Sequence, residues 1–102
     1  MPANEFALQP QVVPALSSAF RCIQTALPVP ESIPLLERLR AHEAQSMRGQ
    51  PPLIWAETEG FLIRDGYGNQ WLDWSSGVLG GNAGQNHPRI KEALRQYLDS
   101  PA

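Results

Sequence analysis

The chain has 102 residues, with two histidines and one cysteine among the residue types that most often bind zinc. His42-Glu43 matches the start of an H-E-x-x-H zinc helix, but Ser46 occupies the second ligand position. His87 could exchange a proton near neutral pH, yet it precedes Pro88, and proline is typical of a first helical position. We therefore predict no metal site, and we interpret His42 as a solvated side chain and His87, or the preceding residue, as a helix cap.

Lysine and cysteine are the remaining candidates for covalent chemistry. Lys91 is the only lysine, and a lysine amine can form a Schiff base with a carbonyl cofactor. It stands between Ile90 and Glu92 on the polar side of a helical pattern, which favours a solvated surface lysine. Cys22 lies beside Ile23 with no histidine nearby, which favours a buried or half-buried thiol over a nucleophile. We predict no catalytic residue in this chain.

Composition excludes several classes of partner. The net charge of -2 and pI near 5.6, without a cluster of lysine and arginine, argue against nucleic-acid binding. No stretch approaches the ~20 apolar residues that span a bilayer, and the N-terminus lacks a secretion-signal pattern. A single cysteine fits a reducing compartment. We expect a soluble cytoplasmic protein.

The first half of the chain is divided by prolines, which predicts short elements joined by fixed turns. Residues 1–13 show no period and are predicted to form an arm. From Pro14 onward, apolar residues recur at helical spacing and predict a short helix that ends at Pro28: Leu16, Phe20, Ile23 and Leu27. We predict two units, an arm with a short helix over 1–30 and a second unit over 31–102.

The second unit begins with another helical pattern and continues with strand patterns. Ser32 is the predicted N-cap of a helix that carries Leu35, Leu36 and Leu39 on one face and stops at Gly49. Aromatic and branched runs then predict strands at 53–56, 60–64 and 70–74. Between the last two, Gly66, Gly68 and Asn69 provide residues that tolerate positive φ in a hairpin turn.

A glycine-rich loop and a final helix complete the pattern. Residues 75–86 contain four glycines but neither the ending of a P-loop nor dinucleotide-binding spacing, so close backbone approach is favoured over phosphate binding. Pro88 opens an amphipathic helix that ends at Ser100-Pro101 and whose apolar face consists of Ile90, Ala93, Leu94, Tyr97 and Leu98. The fold class is therefore α+β: short N-terminal helices, a small antiparallel hairpin or sheet, the loop and a C-terminal helix.

The order of motifs from Arg48 to Pro88 resembles the N-terminal segment of the class III pyridoxal-phosphate-dependent aminotransferases. The matching elements are the hairpin with Asp65-Gly66-Tyr67-Gly68-Asn69 and Trp71-Leu72-Asp73, the loop Ser75-Ser76-Gly77-Val78, and Asn86-His87-Pro88 at a helix start. Two positions depart from the family pattern, because Gln85 stands where histidine is usual and Gly80-Gly81 replaces bulkier residues.

The resemblance implies the N-terminal part of a fold-type I (α/β) enzyme that uses pyridoxal phosphate to transfer an amino group to a keto acid. It implies that Ser76, Gly77 and Val78 line the substrate pocket. It also implies a homodimer, with the rest of the enzyme and a second subunit as partners. The family's Schiff-base lysine and cofactor ligands lie C-terminal of anything that matches here, so we expect this chain alone to bind no cofactor and to be inactive.

A second hypothesis is a non-catalytic interaction module that keeps the same elements. Trp55, Trp71 and Trp74 would then form an exposed apolar patch. Under the first hypothesis the chain is a fragment, a truncated gene product or a separately expressed piece. Because a small domain without disulfide or metal has little stability to spare, we predict weak thermal cooperativity, self-association or binding of an apolar dye. A sharply cooperative, monomeric melt with buried tryptophan fluorescence would instead favour the module.

Overall fold

In the computed structural model, residues 5–101 are described, without the side chains of Val78 and Leu79. Five short antiparallel strands form one sheet in the order β1-β2-β5-β4-β3. The strands are β1 (Leu16–Ser17), β2 (Cys22–Ile23), β3 (Glu57–Glu59), β4 (Leu62–Arg64) and β5 (Gln70–Leu72). The helices are α1 (Ile33–His42), α2 (Ser76–Leu79) and α3 (Pro88–Leu98). This arrangement agrees with the predicted α+β class.

The helix predicted from Pro14 to Leu27 is wrong, because these residues form the hairpin of β1 and β2. Ser18 closes the turn: its backbone N–H donates to the Arg21 carbonyl at 2.8 Å, and its hydroxyl accepts from the Arg21 N–H at 3.0 Å. Serine side chains that bond to nearby backbone compete with helix formation. Pairing of Cys22 with Gln70 then joins this hairpin to β5. The predicted division into two units at residue 30 stays a prediction. Strands from both sides of residue 30 belong to the same sheet.

The central hairpin agrees with the prediction. Leu62 pairs with Leu72, Ile63 with Trp71 and Arg64 with Gln70. The strand predicted at 53–56 is displaced, because β3 occupies Glu57–Glu59 and pairs with β4. Of the residues expected to supply positive φ in the turn, only Gly68 has it, at 91°.

Asn69 has a different role from the one predicted, because it is a buried link between the hairpin and the N-terminal segment. Its side chain is 1% exposed. The carboxamide donates to Asp65 Oδ2 at 2.8 Å and to Thr25 Oγ1 at 2.7 Å, and its oxygen accepts from the Gln24 N–H at 2.8 Å. Asp65 Oδ1 also accepts from the N–H groups of Tyr67 and Asn69 at 2.9 Å. Burial of a polar group lowers the stability of the fold unless the group is hydrogen-bonded. Every polar atom of the Asn69 side chain has a hydrogen-bond partner.

Helix α1 follows the predicted pattern but is shorter. Ser32 occupies the N-cap position, although its hydroxyl donates to the Val29 carbonyl at 2.7 Å instead of capping α1. The helix ends at His42, and a separate 3-10 turn at Gln45–Met47 precedes Gly49. Of its three leucines, Leu36 is buried, whereas the other two are about half-exposed.

The apolar core is small. Among the described residues, the buried apolar side chains are Ile23, Val29, Leu36 and Ile63. They come from β2, the segment before α1, α1 itself and β4, so the core lies between α1 and the sheet. The marginal stability expected for a chain of this size stays a prediction.

Helix α3 lies apart from this core. His87 caps it as predicted, with Nδ1 accepting from the Arg89 N–H at 3.2 Å. Every residue of α3 is exposed, and none is buried against another element. Its start is fixed instead by the loop, where Gly60 and Gln85 exchange two backbone hydrogen bonds of 2.9 and 2.7 Å.

Candidate functional site

A broad groove of about 820 Å³ runs between α1 and the sheet. One side is formed by Leu36 and Leu39 of α1, and the floor by Ile63 and Trp71 of the hairpin. The segment 49–53 and residues 73–77 complete the lining. Pockets that bind small molecules are typically apolar concavities with a few polar groups, so this groove is the candidate functional site.

All three tryptophans line the groove. Trp71 is half-buried in β5, whereas Trp55 is 45% exposed and Trp74 is 90% exposed. An exposed tryptophan next to an apolar concavity marks a surface that is suited to contact another molecule or another part of a protein.

The charged groups around the groove are mainly acidic. Glu5, Glu43 and Asp73 line it together with a single cation, Arg40. The Arg40 guanidinium donates to the Phe6 carbonyl, and Glu5 pairs with Arg48 at 3.6 Å. Within residues 5–101, Glu43 and Asp73 belong to no ion pair. A ligand with cationic groups beside an apolar face would therefore complement this rim.

The loop predicted to reach the site forms the short helix α2 beside the groove. Gly77 lines the groove, and Ser76 is half-buried next to it. Both have positive φ, 52° at Ser76 and 58° at Gly77. The backbone of Val78 lies in α2, and its side chain lies outside what the structure describes. The assignment of these three residues to a substrate pocket stays a prediction.

Gln85 is a residue whose role the sequence did not reveal. A Cβ added to Gly77 or Gly81 would lie 3.3 or 3.0 Å from Gln85 Nε2, so the amide sits against both glycines. At Gly81 the Ser76 carbonyl oxygen would also be only 3.1 Å from such a Cβ. Glycine therefore permits the close approach that the loop composition predicted. The signal available in the sequence was the departure from histidine at this position.

The residues that line the groove do not fit a pyridoxal-phosphate site held by a Schiff base. Among the described residues, no lysine lines it, and Lys91 is exposed on α3. The other residues considered for chemistry are also apart from it. Cys22 is half-buried in β2, and exposed His42 lies 2.8 Å, through Nδ1, from the Arg38 carbonyl oxygen.

Among residues 5–101, no three histidine, cysteine, aspartate or glutamate side chains converge as metal ligands. None of the helices in this part of the chain has the length and apolar character required to cross a membrane.

No protein-family model matches the chain. Curated proteins match about half of it. Diaminobutyrate–2-oxoglutarate transaminase of Bordetella parapertussis is 41% identical over 49 residues, which are 48% of this chain and 11% of that protein. Ornithine aminotransferases of Staphylococcus saprophyticus and Staphylococcus epidermidis are 35% and 38% identical over 48 residues, which are 47% of this chain and 12% of each relative.

These matches confirm the resemblance that the motifs from Arg48 to Pro88 predicted. The matched segment spans only 11% or 12% of the relatives' own length. Over about half of its length, the chain is similar to a segment of aminotransferases of class III.

Proposed function

We propose that this chain is the N-terminal segment of a cytoplasmic class III aminotransferase. The complete protein would use pyridoxal phosphate to move an amino group from a donor to a keto acid, and it would act as a homodimer. The proposal rests on the similarity of about half of the chain to a transaminase and to aminotransferases, whose names state the transfer of an amino group. When bound in such an enzyme, the cofactor stores and transfers the amino group.

The exposed apolar surface of this chain supports the proposal that it is one segment of a larger enzyme. The groove and α3 both leave apolar surface exposed, which a large cofactor domain and a second subunit would cover. In this proposal Ser76, Gly77 and Val78 line the substrate pocket. Their backbone would shape the pocket, and the apolar Val78 would add packing without a hydrogen bond to a substrate carboxylate.

A segment exchange tests the proposal directly. Residues 48–98 of this chain, which contain the motifs from Arg48 to Pro88 and helix α3, would replace the corresponding segment of the Bordetella parapertussis transaminase, and transamination of diaminobutyrate would be measured. We expect a folded chimera that retains activity. A chimera that folds and dimerises but transfers no amino group would contradict the proposal.

Within an active chimera, Val78→Ala should raise the KM for the amino donor while kcat changes less, because the side chain would contribute packing in the ground state as well as the transition state. A matched substitution at an exposed helix position, Gln96→Ala, should leave both constants unchanged. Equal effects of the two substitutions would argue against a pocket role for Val78.

The chain alone should form no specific Schiff base with pyridoxal phosphate. Lys91 and the other residues of α3 are exposed, so nothing there would hold the cofactor over this amine. After mixing, borohydride reduction and mass spectrometry, we expect labelling well below one cofactor per chain. Lys91→Arg serves as the control, because it leaves only the N-terminal amine to react. Stoichiometric labelling of Lys91 with transaminase turnover would overturn this expectation.

The alternative function, a non-catalytic interaction module, rests on the tryptophans, of which Trp55 is 45% exposed and Trp74 is 90% exposed. The reading frame beyond Ala102 separates the two. A frame that encodes a lysine-bearing cofactor domain supports the aminotransferase, whereas unrelated sequence supports the module.

A further inference from the structure

The two histidines of this chain lie at opposite ends of two helices. His87 occupies the N-cap position of α3, and His42 is the last residue of α1. Free N–H groups give the beginning of a helix a partial positive charge, whereas free carbonyl groups give its end a partial negative charge. A proton added to each ring should therefore have opposite consequences for the two helices.

The hydrogen bond at His87 exists only when its ring is neutral. The ring nitrogen Nδ1 accepts from the Arg89 N–H at 3.2 Å. Because a backbone N–H can only donate, this Nδ1 carries no proton, and the ring proton lies on Nε2. Both nitrogens of an imidazolium carry hydrogen, so protonation replaces the acceptor with a donor that faces another donor. The added positive charge also opposes the dipole at the beginning of the helix.

The hydrogen bond at His42 tolerates protonation of its ring. Its Nδ1 lies 2.8 Å from the Arg38 carbonyl oxygen. Because a carbonyl oxygen can only accept, Nδ1 is the donor, and both the neutral ring and the imidazolium can donate. A positive charge in the last turn of a helix is favourable for its dipole, and Arg40 already occupies this turn of α1. Addition of a proton to His42 should therefore leave α1 formed.

Helix α3 depends strongly on its cap. All of its 11 residues are exposed, and an exposed helix of this length is marginal in water when tertiary packing does not support it. Its first turn contains Arg89 and Lys91 and no acidic residue, so the side chains there do not favour the N-terminal end of the dipole. The backbone bonds between Gly60 and Gln85 hold the chain just before the cap. Loss of the cap should therefore affect α3 and leave the sheet in place.

His87 is half-buried at a second cleft, of about 710 Å³, beside β3 and β4. Three charged side chains of the sheet line this cleft: Glu57, Glu59 and Arg64. Arg64 Nη1 lies 3.3 Å from Glu59 Oε2 and 4.0 Å from Glu57 Oε2, and the two carboxylate side chains are 71% and 74% exposed. The cleft thus holds two carboxylates and one guanidinium, and these carboxylates can accept hydrogen bonds from an imidazolium that has left the cap.

We propose that His87 is a pH-sensitive cap that makes α3 the acid-labile element of this fold. When the ring is neutral, Nδ1 caps the first turn of α3. When the ring gains a proton, the Arg89 N–H loses its acceptor, the first turn frays, and the imidazolium turns to the carboxylates of the cleft. Histidine is the side chain that ordinarily changes charge between about pH 5 and 8, so the change falls in that range. The inference does not rest on the proposed function.

An NMR titration of the full chain from about pH 7.5 to 5.5 tests the proposal, because most carboxyl groups stay ionised in that range. The ring signals report protonation of each histidine, and the backbone chemical shifts of residues 88–92 report the first turn of α3. As the His87 ring gains its proton, we expect the ratio of formed to frayed first turn to fall about fivefold, which is the usual effect of losing an N-cap side chain. The backbone shifts of α1 should not follow this change.

Three variants separate the cap from other effects of pH. His87→Asn provides a cap that gains no proton in this range, so its α3 should keep the first turn throughout the titration. His87→Ala has no side-chain acceptor, and its first turn should be frayed at every pH. His42→Gln is the matched control at the other helix end, and its α3 should respond to pH as in the unmodified chain.

Three results would refute the proposal. The first is a first turn whose shifts do not follow protonation of the His87 ring. The second is a His87→Asn variant that responds to pH like the unmodified chain, and the third is loss of the response in His42→Gln. If His87→Ala disrupts the whole chain, the comparison of His87→Asn with the unmodified chain still decides. Because these measurements involve no transfer of an amino group, their outcome is independent of the activity of the chimera.

Discussion

Asn69→Ala should destabilise the chain by about 3 kcal/mol, because it removes three hydrogen bonds of a buried side chain that each contribute roughly 1 kcal/mol. It also leaves the Gln24 N–H and one Asp65 carboxylate oxygen without the partners they have at 2.8 Å. For a small domain with little stability to spare, a loss of this size should separate the N-terminal hairpin from the sheet. Urea unfolding followed by tryptophan fluorescence should show the loss.

Amide hydrogen exchange locates the effect. The N–H of Gln24 should exchange much faster in Asn69→Ala than in the unmodified chain, since its acceptor is gone. Gln70→Ala is the control. It removes a contact to the N-terminal segment at an exposed site, between Gln70 Nε2 and the Phe20 carbonyl at 2.9 Å, and the 2.8 Å bond that Gln70 Oε1 accepts from Arg64 Nε. Because it leaves no fully buried polar group without a partner, the control should cost less than Asn69→Ala. Equal losses for the two variants would contradict a special role for Asn69.

Asn69→Asp adds a pH test to the same site. It places a second carboxyl group within about 2.8 Å of Asp65 Oδ2, and two carboxylates at that distance repel each other. A shared proton relieves the repulsion, so this variant should be least stable at neutral pH and should regain stability as the pH falls through the range in which carboxyl groups protonate. Asn69→Ala should not regain stability in this way.

The elements that the sequence predicted correctly are those with local signals. The hairpin of β4 and β5 has apolar runs on both sides of a glycine-rich turn, and α3 has a proline start, a histidine cap and a sustained helical period. The groove could not be predicted, because it depends on how α1 lies against the sheet. The sequence predicted an exposed patch of three tryptophans for an independent module, whereas Trp71 is half-buried, and nothing local indicates that all three line one concavity.

The helix predicted over residues 14–27 is wrong because the spacing of apolar residues along the chain does not alone determine secondary structure. Leu16, Phe20 and Ile23 have helical spacing, but the structure places Leu16 opposite Ile23 in a hairpin and sets the Phe20 ring 5.6 Å from the Phe61 ring, edge to face. Pairing with β5 and the links from Asn69 to Thr25 and Gln24 come from residues more than 40 positions away. Such tertiary contacts override a weak helical preference. The departure of Gln85 from the family pattern marked the position, but its contact with the loop glycines is visible only in the structure.

Gly68→Val should cost about 2 kcal/mol, the second large effect expected in this chain. Gly68 has φ of 91°, a region that a β-branched residue enters only with strain. An added Cβ would also lie 1.6 Å from Gln24 Nε2, so the Gln24 side chain must move and give up its 3.3 Å bond to the Tyr67 carbonyl. Most of the cost comes from the backbone, because that side chain is exposed and can move.

Gly66 supplies the matched control for this turn. It lies two residues earlier, has no positive φ, and an added Cβ there would meet no atom within 4 Å. Gly66→Val should therefore lower the urea midpoint far less than Gly68→Val. Arg64→Gln, which removes the 2.8 Å bond to Gln70 Oε1 and exposed ion pairs with Glu57 and Glu59, should also cost less, since exposed ion pairs contribute about 1 kcal/mol or less. If all three variants unfolded at the same urea concentration, backbone strain at Gly68 would not be what fixes this hairpin, and its register would have to depend on the cross-strand pairs instead.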